Sequence, residues 1–355
     1  MINDDKIIRG RGAQHITDNR FNEATYCRDE IEGLDLEPEI EGKTQYLEVF
    51  PKSIVNKVDS PDLRLDYSIN PYQGCEHGCI YCYARNSHQY WGYEAGMDFE
   101  SKILYKANAA ELLRTFFMKK SWKASPIMLS GNTDCYQPIE RKLKITRSLI
   151  EIFKEFQNPL GIITKNHLIC RDIDLLRPMA EEKLLHVYIS LTSLDDKLRS
   201  KMEPRTSSSK NRLKAIEELS KAGIPVGVML APIIPGLNSH EIPALAKAAA
   251  EAGAKAIRHT TVRLNGKIAE IFSNWLEKQF PDRYHKVIHQ IQEMHGGKLN
   301  DSNYGRRMKG SGEIAKMISN MVKLGEAKHI KKAGLPNYNL DAFRRPGESL
   351  RIPGL

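Results

Sequence analysis

Long apolar runs are missing from this chain. Across its 355 residues no stretch approaches the run of about 18 apolar residues that a bilayer-spanning helix needs. The opening "MINDDKIIRGRGAQ" has no apolar core of the kind that directs secretion. These absences argue against a membrane protein and lead us to expect a cytoplasmic one. Cysteine is scarce, with six residues, and in a reducing compartment clustered thiols point to metal or catalysis, not to disulfides. No dense basic tract exists either, although the net charge is +9 and the isoelectric point about 9.1. Charge therefore favours an anionic partner, nucleic acid among the candidates, without a polybasic arm to hold it. No repeat of about 20–50 residues is evident, which excludes solenoid architectures.

What remains is an ordinary globular composition, 41% hydrophobic and 27% charged. It suffices for one large domain with additions, or for two domains. Residues 1–60 are polar and read as an irregular N-terminal arm, within which "RGRGAQ" is expected to be flexible. From about residue 65 a rhythm begins. Short β-rich runs ("LDYSIN", "PIMLSG", "LGIITK", "HVYISLT", "PVGVMLAPI", "AIRHTTVR") alternate with helical stretches such as "RKLKITRSLIEIFKEF", "NRLKAIEELSKAG" and "EIPALAKAAAEAG". Several of the helical stretches end in Gly, as helices tend to.

Six strands alternating with helices predict parallel strands joined by right-handed crossovers. Six units close only part of an eight-fold barrel, so residues 61–262 are expected to form an α/β partial (β/α)6 TIM-type barrel. Chemistry in such folds sits at the C-terminal ends of the strands. The segments there are Cys75–Cys82, "GNTD", "TKN", "SLTSLDD" and "PIIPGLN", and they should converge on one mouth. Residues 263–355 lose the alternation. "KIAEIFSNWLEKQF", "DRYHKVIHQIQEMHGG" and "SGEIAKMISNMVKLG" predict three amphipathic helices, a C-terminal helical extension long enough to cap an open barrel.

Half of the cysteines stand in "NPYQGCEHGCIYCYAR", where Cys75, Cys79 and Cys82 fall within eight residues at C-x3-C-x2-C spacing. Gly74 and Gly78 let this loop curl tightly. Four thiolates would close a zinc or iron–sulfur site and make it structural. Three in one loop suggest a cubane cluster with one iron left open to substrate. Other readings are a zinc site completed by His77, by Cys135 or by Cys170, and three unrelated core cysteines. Cys27 and Cys170 otherwise read as ordinary thiols.

This spacing, with Tyr81 before the last cysteine, resembles the signature of the radical S-adenosylmethionine (SAM) enzymes. "TDCYQPIER", "KMEPR" and "APIIPGLN" are similar to the DNA repair photolyase-like branch of that superfamily, related to the spore photoproduct lyases. The likeness runs from "RGRGA" to about "GRRMKGSGEIA". It implies the radical SAM kind of partial barrel and a 4Fe-4S cluster held by Cys75, Cys79 and Cys82. S-adenosyl-L-methionine would chelate the open iron, and its one-electron cleavage would give a 5′-deoxyadenosyl radical that abstracts hydrogen from a substrate. A one-electron donor such as flavodoxin or ferredoxin is implied as well, and a nucleic acid is the substrate class suggested.

The resemblance also implies roles around the cosubstrate. Tyr81 would pack near the adenine, and Thr133 with Asp134 match a Ser/Thr-Asp pair that contacts the cosubstrate. Lys165 would reach the methionine carboxylate, and Ser190 and Thr192 are candidates for the ribose or carboxylate. In "PIIPGLN" Ile234 and Gly236 fit the superfamily's G-x-I-x-G-x-x-E, but Pro232 replaces the first glycine and Ser239 the glutamate; Ile234 would flank the adenine. Glu203 and Arg205 could form a charge network there. Cys135 is the candidate catalytic hydrogen donor, although the lyases carry that cysteine before the Ser/Thr-Asp pair, where this chain has Gly131. Arg306 and Arg307, in "RRMKGSG", could meet phosphate. The rival class is a noncatalytic protein whose Fe–S or zinc knot stabilises a nucleic-acid-binding module.

Overall fold

The computed structural model describes residues 7–21, 43–63, 65–330 and 334–347. Cys27 lies outside them. Among the described residues ten strands form: β1 (Gln45–Val49), β2 (Val55–Lys57), β3 (Tyr67–Ile69), β4 (Tyr72–Gln73), β5 (Lys102–Lys106), β6 (Ile127–Leu129), β7 (Leu160–Thr164), β8 (Leu185–Ser190), β9 (Val226–Ile233) and β10 (Ala256–Thr261). The main sheet runs β10-β9-β8-β7-β6-β3-β2. From β3 to β10 every pairing is parallel and follows chain order; β2 alone runs antiparallel, against β3. Each of the six β-rich runs in the sequence supplies one parallel strand. This is the open, partial (β/α)6 barrel.

The register explains the core. Ile69, Leu129, Ile162, Val187 and Val226 are aligned across five strands, and all are fully buried. They join Leu149, Ile150 and Phe153 of the helix Ile145–Phe156 and Leu176 of the helix Ile173–Glu181 in one continuous core. Branched residues on one face of a parallel sheet, covered by the crossover helices, are what such a sheet requires.

The described parts of residues 1–60 depart from the irregular arm expected there. β1 pairs with β5 in a second sheet, β1-β5-β4, and β2 flanks the barrel. The "RGRGAQ" segment is not a flexible arm: Arg11, Gly12, Ala13 and Gln14 are buried. The three C-terminal helices form at Ile268–Gln279, Tyr284–Met294 and Gly312–His329. The first two supply Phe272, Trp275, Leu276, Val287 and Ile291 to an apolar cluster with Cys79, Ile80 and Tyr81, so they flank the mouth. The third packs on the outer layer instead, beside the helix Ile242–Glu251, and its Glu326 accepts a hydrogen bond from Ile257 N of β10.

Two connections were not legible in the sequence. The loop 303–310 bridges the seam between β10 and β2: Thr261 N donates to Met308 O, while Gly305 N and Arg307 donate to Asp62 in the β2–β3 turn. Residues 334–345 cross the N-terminal ends of the strands. Gly334 N donates to Lys255 O, Tyr338 Oη to Leu160 O, Asn339 N to Lys183 O and Arg344 N to Phe156 O.

Candidate active site

The cysteine loop leaves β3 through β4, and each of its turns is tied to a different element. Cys75 N donates to Phe99 O at 2.8 Å and Ile80 N to Met202 O at 3.1 Å. Gln137 grips both sides of Cys75, accepting from Glu76 N at 3.0 Å and donating to Gly74 O at 3.2 Å. Gly78 has φ +65°, and a Cβ there would stand 2.8 Å from Glu100 Oε2. The N-terminal segment lies directly over this turn, and a Cβ on Gly12 would overlap Gly78 O.

Glu100 locks the assembly together. Its carboxylate accepts from Gly12 N, from Ala13 N at 2.7 Å and from Arg85 Nη2 at 2.5 Å, with Arg85 and Glu100 both sealed from solvent. Arg85 Nε in turn donates to Cys79 O at 2.9 Å. A buried pair of this kind is costly to form and more costly to break by halves. It is placed where the loop's shape matters most.

The donor set fits an iron–sulfur group. Cys75, Cys79 and Cys82 are free thiols in one loop, the first two buried. Burial pushes the Cys75 thiol well up, with Asp134 adding to it. It raises Cys79 too, reinforced by Glu203 and opposed by Lys165. Thiolates in such surroundings need a bound cationic centre to exist at neutral pH. The alternative zinc ligands face elsewhere. His77 Nδ1 is 3.3 Å from Asp134 Oδ2 and Nε2 is 3.4 Å from Asn166 Nδ2, so both ring nitrogens are engaged. Cys170 hydrogen-bonds Glu218.

Of the residues expected around the cosubstrate, Tyr81, Ser190, Thr192 and Ile234 are linked by Glu203, which the sequence singled out, and by Arg212 and Asn238, which it did not. Tyr81 Oη donates to Glu203, and Arg212 donates to the other carboxylate oxygen of Glu203. Burial raises the Glu203 carboxyl above its ordinary value against the pull of Arg212. Arg212 Nη1 reaches Ser190 O at 3.1 Å and Thr192 Oγ1 at 3.5 Å. Asn238 accepts from Ile234 N at 2.6 Å and donates to Thr192 O at 2.8 Å. Ile234 packs in the same apolar cluster as Cys79 and Tyr81. Lys165 Nζ stands 5.9 Å from the Tyr81 ring centroid and makes no ion pair among the described residues.

Arg212 sits in the helix Ser209–Lys221, where an arginine among lysines and glutamates reads as solvated, yet its side chain is 1% exposed. Asn238 closes the "PIIPGLN" segment, which was the available signal. Gly131 accepts from the Tyr83 hydroxyl.

Thr133 and Asp134 are committed to the protein. Thr133 Oγ1 donates to Tyr72 O at 2.9 Å. Asp134 accepts from Thr164 Oγ1 at 2.7 Å, Lys165 N at 2.8 Å and Tyr136 N at 2.9 Å, besides His77. Burial raises this carboxyl, but His77 and the hydrogen bonds outweigh burial and bring it down to about 2. Four partners leave it to orient the strand ends of β6 and β7, not to reach outward.

Cys135 does not join the group. Its side chain is fully buried in the main core, burial pushes its thiol well up, and Cys135 N donates to Ser130 Oγ at 3.1 Å. Arg306 and Arg307 each have an acidic partner in the protein: Arg306 Nε donates to Asp301 at 2.7 Å, and Arg307 pairs with Asp62. Arg205 contacts Glu76 at 3.5 Å instead of Glu203. It lines a polar cavity of about 270 Å³ with Arg141, Asn166, Thr206, Ser207 and Asn211.

Comparison with known proteins agrees with this architecture. The Radical SAM superfamily matches residues 69–249. An uncharacterized protein of Mycobacterium tuberculosis is 33% identical over 248 residues, covering 69% of this chain and 73% of its own. A radical SAM Nalpha-GlyT isomerase of Pseudomonas phage M6 is 27% identical over 172 residues, covering 48% of this chain and 34% of its own. Spore photoproduct lyase complexed with dinucleoside spore photoproduct shares the fold, with a TM-score of 0.58 at 17% identity, over 81% of this chain and 80% of that one. The family match takes in the cysteine loop and most of the barrel. This chain belongs to the radical SAM superfamily, whose members are enzymes and whose shared cofactors are S-adenosyl-L-methionine and a 4Fe-4S cluster.

Proposed function

We propose that the protein is a radical SAM enzyme that abstracts a hydrogen atom from a nucleic-acid substrate. The observation that carries the enzyme reading is the set of three cysteines in a glycine-curved loop, beside a linked array of Lys165, Tyr81, Glu203, Arg212 and Asn238. When bound, cluster and cosubstrate supply a one-electron cleavage that yields a 5′-deoxyadenosyl radical. The protein's own part is to hold and shield. Cys75, Cys79 and Cys82 bind the iron. Lys165, which makes no ion pair among the described residues, offers a cation to a carboxylate, and Tyr81 and Ile234 offer apolar surface to an adenine. Glu203, Arg212 and Asn238 hold Tyr81, Ser190, Thr192 and Ile234 in register. The helices Ile268–Gln279 and Tyr284–Met294 keep water from that side of the mouth.

The nucleic-acid reading is supported by the net charge of +9, by Arg141 and Arg205 in one cavity, and by the likeness in fold to a spore photoproduct lyase complexed with dinucleoside spore photoproduct. Cys135 has no part in this proposal, because it is enclosed in the core.

The test is anaerobic reconstitution followed by dithionite reduction. Wild type should release 5′-deoxyadenosine and methionine, and Cys79→Ala should release neither. Intact cosubstrate in the presence of reduced, cluster-loaded wild type would overturn the enzyme reading. Affinity for DNA or RNA should fall steeply as salt rises; no binding at low salt would remove the nucleic-acid reading alone.

A further inference from the structure

A second group of ligating side chains, separate from the three loop cysteines, lies at the turn after β7. His167 and Cys170 are three residues apart in the 3-10 turn His167–Asp172, which follows β7, so they share one face. Glu218 projects from the neighbouring helix Ser209–Lys221. A nitrogen of His167, the sulfur of Cys170 and an oxygen of Glu218 all lie within 4.8 Å of one another. His167 Nε2 is shut off from solvent without a hydrogen bond, and it stands 3.3 Å from Glu218 Oε2.

That spacing is informative. Two tetrahedral ligand atoms, each about 2.0–2.1 Å from a zinc ion, are separated by about 3.3 Å. One nitrogen, one sulfur and one carboxylate oxygen make a borderline-soft donor set, which suits zinc and not calcium or magnesium. The His167 and Glu218 side chains are about a third exposed, so solvent can furnish a fourth ligand. The charge that opposes a cation here is Lys214, whose Nζ sits 3.5 Å from Glu218 Oε1, the oxygen turned away from His167.

We propose that His167, Cys170 and Glu218 bind one zinc ion. The ion staples the turn after β7 to the helix Ser209–Lys221. Both elements carry parts of the active site: Lys165 and Asn166 immediately precede His167, and Arg212 shares the helix with Glu218. The staple therefore acts as a positioning device for the mouth, independent of the substrate.

Cluster-reconstituted protein, challenged with a chromophoric zinc chelator and then measured for metal content, tests this. Wild type should retain one zinc per chain in addition to its iron, and X-ray absorption should show a single sulfur ligand with nitrogen and oxygen neighbours. Cys170→Ser should weaken zinc binding by about 100-fold or more, and Glu218→Gln by less. Zinc should raise the unfolding temperature of wild type but not of Cys170→Ser, the zinc-free proteins melting alike. His167→Gln serves if Cys170→Ser does not fold. Wild type that surrenders its zinc as readily as the variants, or zinc surrounded by three or more sulfurs, overturns the assignment.

Discussion

The two ends of the barrel are built from different materials. At the C-terminal ends of the strands, polar groups are buried in pairs: Arg85 with Glu100, Arg212 with Glu203, His77 with Asp134. At the N-terminal ends, residues 334–345 are held by main-chain hydrogen bonds, by the Arg345 guanidinium donating to Phe117 O, Lys119 O and Trp122 O, and by rings, with Phe343 against Phe117 and Phe156 and Tyr338 stacked on His186 at 3.9 Å. Apolar burial closes the lower end. The upper end accepts the desolvation cost of charge and gains defined geometry, because a paired charge tolerates few alternative positions. Position matters where cofactor and substrate must meet, and closure alone matters below.

Substitutions at the two ends should therefore differ in kind. The largest structural effect is expected for Glu100→Gln, which strands Arg85 and turns an amide toward Gly12 N and Ala13 N. A loss of about 3–5 kcal/mol in urea unfolding, with poor iron retention, is the expected outcome. An unfolding curve like wild type would show that the upper pairs are dispensable. Gly12→Ala comes next, since its methyl must displace Gly78 O. It should cost about 1–3 kcal/mol and loosen the cluster without touching a cysteine, as iron content would show.

Acid should separate the ends further. The Asp134 carboxyl is depressed in the folded state to about 2, from an unfolded value near 4. Its contribution is complete above the unfolded value and disappears as pH falls through about 2. Asp134→Asn should thus cost about 2 kcal/mol at pH 7, and the gap to wild type should shrink as pH drops below 4. A gap that stays constant would break the assignment. The smallest effect belongs to the lower end: Tyr338→Phe removes one hydrogen bond to Leu160 O and should cost about 1 kcal/mol, with cosubstrate cleavage unchanged.

Much of the fold was legible because periodicity reports burial. The six parallel strands and three C-terminal helices each leave a pattern of apolar spacing, and C-x3-C-x2-C leaves a spacing of its own. Residues such as Glu100 and Arg212 leave none. Each acts through contacts with residues distant in the chain, and a charged or amide residue in a helix or turn looks the same in sequence whether solvated or buried. The "RGRGAQ" segment misled for the same reason. Its polar composition suggests solvent, while its backbone N–H groups find a buried carboxylate 87 and 88 residues away. The closing segment 334–345 has no periodicity at all, since it contributes backbone, isolated rings and the Arg345 guanidinium.

That closing segment has a consequence for how the molecule is made. During synthesis it leaves the ribosome after β10, so the nascent barrel has an uncovered underside until residues 334–345 arrive. Chains interrupted beforehand would display Phe117 and Phe156 to solvent, a sticky surface that quality-control machinery can detect.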